Sequence, residues 1–194
     1  MYNNNTPLNL YSAKLAEQVW SYLVEKMDDD ELRKIDNGEA ALSEKAYKRI
    51  VEFLSGKLIN FNNESDKMKQ NIKKYNESVV RGNSYFVKTS KTNNFEIGML
   101  SYNVIDASHE LGHAFLDINK VTPNRVLWCT ISSDYSEYII DSFCLSFAMP
   151  RERFIKIVSK HSKNNSCDIE SVANSFDVPY GYAYIRGKEL LLWE

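Results

Sequence analysis

The sequence predicts an α+β fold, mainly helical, with a small β-sheet. Three observations carry that expectation. Apolar residues recur at helical spacing over most of the chain, and two short β-type runs flank a turn near its middle. With 43% hydrophobic residues in a chain of 194, there is material for one domain with its own core. Charged residues make up 26% and the net charge is −2, so no global field draws the chain onto nucleic acid or an anionic membrane. No apolar stretch is long enough to span a bilayer. The start, MYNNNTPLNL, lacks the basic and apolar regions of a secretory signal. Cys129, Cys144 and Cys167 are widely spaced with no CxxC pair, and read as buried free thiols in a reducing compartment. The expected location is cytoplasmic.

The elements follow in order. Leu8 to Met27 places Leu8, Tyr11, Leu15, Val19, Tyr22 and Leu23 at helical intervals. The acidic run from Asp28 to Asp30, then Asp36-Asn37-Gly38, breaks it. A second helix follows a cap at Ser43, with Tyr47, Ile50, Val51 and Leu54 on one face and Gly56 near its end. Asn60 to Glu77 is polar and weakly amphipathic, a surface helix or a connection. SYFVKT (Ser84–Thr89) and NFEIGM (Asn94–Met99) read as strands of a hairpin turning at 91–94. Helix returns after them, and Val126 to Ile131 is a further short strand candidate. Tyr135 to Ala148 is helical, Pro150 suits the first turn of another helix through Val158, and Ile169–Phe176 and Pro179–Leu191 are two short helices. No repeat or linker divides the chain, so one domain is expected over 1–194, with a helical N-terminal part (1–80) and a core at 81–194.

Within that core stands HELGH. The chain has three histidines, and two of them, His109 and His113, lie four residues apart around Glu110. On a helix these positions stack one above the other, so two imidazoles can meet one ion while Glu110 reaches a water on it. Catalytic zinc takes three protein ligands and keeps one position open. Water so bound becomes acidic near neutral pH, and a glutamate can take its proton and pass it to a leaving amine. Gly112 costs about 1 kcal/mol in a helix interior relative to Ala, which a plain structural helix has little reason to accept and a site needing close backbone approach would.

Candidates for a third ligand are His161, Asp117 and Glu137. His161 sits in a solvated basic stretch, and Asp117 lies far along the same helix axis. Glu137 opens EYIIDSFCLSFAMP, a helix that could cross the first and deliver its carboxylate. Asp141, one turn further, could accept a hydrogen bond from a ligating histidine. A solvated helix face fits Glu137 and Asp141 equally well on spacing alone.

At these residues the chain resembles the ImmA/IrrE family of metallopeptidases. That family follows HExxH with a helix patterned E-x-x-A-N/D-x-F-A-x-x-L-L-M-P, whose first glutamate is the third ligand. Glu137 to Pro150 aligns with it without a gap: Glu137 on the ligand, Asp141 on the N/D position, Phe143 on the F, Met149-Pro150 on the closing MP. The departures are Ile140 and Cys144 for Ala, and Phe147-Ala148 for Leu-Leu. VANSFDVPYGYAYIRGKEL is similar to the family's A-x-x-F-x-V-S and arginine-containing helix, with Pro179 in place of Ser. The similarity covers Ile97 to Leu190. The first 80 residues match only in being helical.

The resemblance implies a zincin-like peptidase core with the small sheet packed against the HExxH helix. It also implies zinc as cofactor, with Mn2+ or Fe2+ able to occupy the same set. It makes His109, His113 and Glu137 the metal ligands, Glu110 the catalytic base and Asp141 their support. It implies a protein substrate, a helix-turn-helix transcriptional repressor, in mobile-element or stress-response regulation, with no direct partner in nucleic acid or membrane. For the oxyanion, Tyr135, Tyr138, Tyr180 and Arg151 are candidates by type. Two other classes stand beside this one. Asp168 to Leu190 superficially resembles a DNA-binding helix-turn-helix, although its basic residues, Arg186 and Lys188, come late. A metal-sensing module without turnover would need the ligands and not Glu110. The polar N-terminal half could recruit substrate, and its deletion from Met1 to Asn76 is the corresponding test.

Overall fold

The structure, a computed structural model, describes residues 7–73, 83–88, 94–118, 134–164 and 166–193; for 7–9, 117–118 and 134–138 it describes the backbone course alone. It is an α+β fold in which helices surround a three-stranded mixed sheet.

Helix α1 (Pro7–Lys26) buries Ser12, Ala16, Val19, Trp20 and Leu23, a stripe at intervals of three and four. A seven-residue helix, α2 (Asp30–Asp36), occupies what the acidic run suggested was a break. The Asp29 carboxylate caps it by accepting from the amides of Glu31 and Leu32. Helix α3 (Glu44–Phe53) is capped by Ser43, whose Oγ accepts from Ala46 N at 3.1 Å. Strand β1 (Gly56–Asn60), with no counterpart in the sequence reading, follows directly. Helix α4 (Ser65–Ile72) lies within the polar stretch.

Strands β2 (Ser84–Lys88) and β3 (Phe95–Met99) pair antiparallel as the hairpin reading expects, while β1 adds to β3 in parallel, giving the order β1-β3-β2. The residues of the turn itself, and Val126 to Ile131, lie outside the described residues. Each face of the sheet is covered. Leu58, Phe86, Phe95, Ile97 and Met99 join the main core, and Tyr85 and Val87 pack under α4 with Met68 and Ile72.

The register is locked on the α4 side. The Tyr85 ring lies across Gly98, where a Cβ would come within 2.1 Å of it. Its hydroxyl donates to the buried Glu96 carboxylate at 2.7 Å, which also accepts from Asn71 Nδ2 at 2.7 Å.

Helix α5 (Val104–Ile118) lies against β2 and β3 and is crossed by α6 (Asp134–Ala148). Gly112 marks the crossing. A Cβ there would stand 3.0 Å from Ile140 Cγ2 and 3.2 Å from Phe143 Cδ1, so the close approach suggested by this glycine is a packing contact. On its other side α6 runs along α1, where Ser12 Oγ donates to Ile139 O at 2.6 Å and Trp20 meets Phe147 edge-on at 5.5 Å.

Helix α7 (Arg151–Lys160) starts after Pro150, which takes the capping position and not the first turn. A two-residue ladder, β4 (Ser162–Lys163) with β5 (Ser166–Cys167), leads into α8 (Ile169–Phe176). Asp177, in left-handed conformation with φ 56°, ends α8, and α9 (Tyr180–Glu189) completes the fold.

Arg186 of α9 is buried. Its Nε donates to Met149 O at 3.0 Å, Nη1 to Ser146 Oγ at 2.9 Å and Nη2 to Glu17 Oε1 at 2.6 Å. One guanidinium thus ties α9, α6 and α1. Among the described residues no helix is long and apolar enough to cross a membrane.

Candidate functional site

Helix α5 forms where the apolar positions Val104, Ala107, Leu111 and Ala114 bury on one side. Its backbone is anchored to α3, because the buried Tyr47 hydroxyl donates to Ala107 O. That burial leaves His109 and His113 half-exposed on successive turns, with ring centroids 5.0 Å apart and planes at 74°. Glu110, one residue on, is only 5% exposed.

Each of the three side chains meets a different neighbour. His109 Nδ1 stands 3.1 Å from Asp141 Oδ1 of α6. Glu110 Oε1 accepts from Ser84 Oγ of β2 at 2.7 Å, both groups being buried. The His113 ring stacks on Phe86, also of β2, at 6.4 Å between centroids and 25° between planes. The structure therefore brings His109, Glu110, His113 and Asp141 together.

Glu137 falls in the first turn of α6, one turn before Asp141. Its side chain lies outside the described residues, as do those of Asp117, Tyr135 and Tyr138. Among the described residues no group of three His, Cys, Asp or Glu side chains is assembled around one point.

The donor chemistry fits a divalent metal such as zinc. Two imidazoles are one helical turn apart, which suits a shared ion. With Nδ1 of His109 engaged by a carboxylate, the tautomer that presents a lone pair at Nε2 is the favoured one, as a ligating histidine requires.

The remaining candidates fall elsewhere. His161 caps the end of α7, with Nε2 3.4 Å from Ser175 Oγ. Arg151 donates its backbone N–H to Glu17 and shares a cavity of about 310 Å³ with Arg186, Ser142 and Ser146, away from the histidines. Tyr180 is exposed and stacks on Tyr184. Tyr182, which the sequence did not single out, is partly exposed on α9, and burial raises its phenol above the ordinary range, with smaller contributions from Cys144, Asp141 and Asp106.

Of the thiols, Cys144 is buried and pushed well above its usual value by desolvation. Cys167 is half-buried, because the short β4–β5 ladder holds it near the surface, and Cys129 lies outside the described residues.

Ser84 and Phe86 were also missed. Their only sequence signal was alternation in SYFVKT, which puts residues 84 and 86 on one face without saying what that face meets.

Compared with known protein families, curated proteins and solved structures, the chain matches none.

Proposed function

We propose that the chain is a metal-dependent endopeptidase, with zinc the ion that best suits its donors, acting on a helix-turn-helix transcriptional repressor. The observation that carries the peptidase reading is one helix holding His109 against a carboxylate from α6, with a buried glutamate as the very next residue. The substrate class rests on the resemblance of HELGH and EYIIDSFCLSFAMP alone. His109, His113 and Glu137 would hold the metal. A bound zinc ion would supply a Lewis acid that polarises the scissile carbonyl and acidifies water near neutral pH. Glu110 would take the proton of the attacking water on its carboxylate and return it to the leaving amine. Asp141 would hold His109 in the tautomer and orientation that ligation requires.

One feature of the site favours turnover over sensing alone. A buried carboxylate beside the donors is costly to keep, and a pure binding site has no use for it. The DNA-binding alternative loses its central basic residue, since Arg186 is 3% exposed and turned into the protein.

The test is a cleavage assay on the helix-turn-helix repressor encoded beside this gene, using zinc-loaded protein and the Glu110→Gln variant. Cutting by the wild type and none by the variant supports the reading. A chain that takes up no metal and cuts nothing sinks it.

A further inference from the structure

We infer that Ser84 is a positioning residue for Glu110: its hydroxyl fixes the plane of the carboxylate that moves the proton. The inference rests on the peptidase reading and extends it to a residue outside both motifs.

The geometry starts in the strand. Side chains of β2 alternate, so Ser84 and Phe86 share the face toward α5 while Tyr85 and Val87 face α4. Residues two apart on a strand are roughly 6.6 Å apart, and residues three apart on a helix are roughly 4.5 Å apart along its axis. β2 can therefore lie beside α5 with Ser84 at Glu110 and Phe86 at His113, which is what is found.

A slip of one residue would turn Ser84 away and put Tyr85 in its place. The α4 side forbids that slip. Tyr85 is seated over Gly98 and bonded to Glu96, and Ser84 itself is paired across from Met99. The hydroxyl is thus delivered to Glu110 by a strand held from its opposite face.

The chemistry favours a hydroxyl. A lysine or arginine donor would pin the carboxylate equally well, but its charge would lower the proton affinity on which proton transfer depends. A serine donates one hydrogen bond, restricts rotation about the terminal torsion of Glu110, and leaves the charge in place. A misplacement of about 1 Å in such a group can cost on the order of a hundredfold in rate.

The rival reading is that Ser84 merely satisfies a buried carboxylate. Ser84→Thr and Ser84→Val separate the two, because they nearly share a shape and differ in the hydroxyl. Turnover of the same repressor is measured per folded, zinc-loaded molecule at a temperature well below either melting transition. Ser84→Val is expected to lower kcat by about ten- to a hundredfold with KM unchanged, and Ser84→Thr to recover most of the loss. Crystal structures of the two variants give a readout independent of activity: the Glu110 carboxylate turns in the Val variant and stays in the Thr variant.

A kcat for Ser84→Val within twofold of Ser84→Thr, or an undisplaced carboxylate, overturns the positioning role while leaving the peptidase reading intact. A wild type that takes up no zinc and cuts nothing overturns both.

Discussion

Replacing Asp141 by alanine tests the proposed metal centre without any substrate. The contact to be lost is His109 Nδ1 to Asp141 Oδ1 at 3.1 Å. Carboxylates that support ligating histidines in this way are commonly worth ten- to a hundredfold in metal affinity. Here the carboxylate side chain is 59% exposed and the imidazole 23%, so water screens the pair and the lower end of that range applies. Asp141→Ala should therefore weaken zinc binding about tenfold, or about 1.4 kcal/mol. Asp141→Asn keeps an oxygen acceptor and loses the charge. Charge-assisted hydrogen bonds are roughly twice as strong as neutral ones, so this variant should lose about half that energy, or about threefold in affinity. Competition against a chromophoric chelator measures both, with His109→Ala as the control that removes a ligand outright. An unchanged zinc affinity in Asp141→Ala would falsify the assignment. Equal losses in the Ala and Asn variants would show that charge has no part in the contact.

Other substitutions test the scaffold. Arg186→Met removes a buried cation from two half-buried carboxylates, Glu17 and Glu189, and from two other acceptors, and should cost about 3–5 kcal/mol in urea unfolding. Glu17→Gln should cost about 1 kcal/mol or less, because burial outweighs Arg186 and already holds that carboxyl above the usual range; equal losses from the two variants would refute the reasoning. Since Glu17 and Glu189 both bind protons more tightly in the folded chain, they should raise stability as pH falls from neutral toward 4.5, and lower it as pH climbs back through their folded values. Asp29 and Glu31, held low by hydrogen bonds from Arg49, oppose this with a contribution lost below about pH 4, so urea midpoints should peak between the two windows. Gly98→Ala forces the Tyr85 ring off Glu96 and should cost about 1–3 kcal/mol, and a melting temperature equal to wild type would contradict the tight contact. At Gly112, Ala gains about 1 kcal/mol of helix propensity against a contact that needs a few tenths of an ångström, so near-neutral stability is expected. A loss above about 2 kcal/mol there would mean that Ile140 cannot yield.

What the sequence made legible was what is local. Helices α3, α6 and α8 could be read because their buried faces repeat every three or four residues, and Ser43 announced its own cap; α1 was read as a helix on a face only partly right, since Tyr11 and Tyr22 are exposed and Ser12, Ala16 and Trp20 are buried with Val19 and Leu23. The helix α2 was hidden because its acidic residues looked like a break; the same Asp29 that suggested a turn is the side chain that caps it. Strand β1 was hidden for a different reason. GKLIN is half-exposed, shows little alternation, and becomes a strand by pairing with β3, nearly forty positions later. The site divides in the same way. His109, Glu110 and His113 could be grouped from helical spacing, whereas Ser84 meets Glu110 only through the packing of a strand on a helix. Asp141 is instructive because both readings of its spacing hold: the side chain is mostly solvated, and it reaches His109.

The arrangement also changes what the N-terminal half can be asked. Deleting Met1 to Asn76 looked like a way to test for a substrate-recruiting surface, provided the rest folds. The packing says that it does not. Asp141 reaches His109 from one side of α6, and the position of α6 is set on its other side by α1, through Ser12, Trp20 and the ion pair of Glu17 with Arg186. Val19, Trp20 and Leu23 are nearly fully buried, which at about 1.5–3 kcal/mol each is on the order of 5–9 kcal/mol. That is comparable to the whole stability of a typical domain, about 5–15 kcal/mol. The same cut removes β1 and α4, exposing both an edge and a face of the sheet that delivers Ser84. The truncated chain should therefore show no cooperative thermal transition by circular dichroism and bind zinc weakly. A cooperative transition in the truncated chain would refute this account, and would return the N-terminal helices to the status of an accessory surface. Recruitment is better tested by charge substitutions on the exposed face of α1, such as Lys14→Glu or Glu25→Lys, which leave the buried stripe intact.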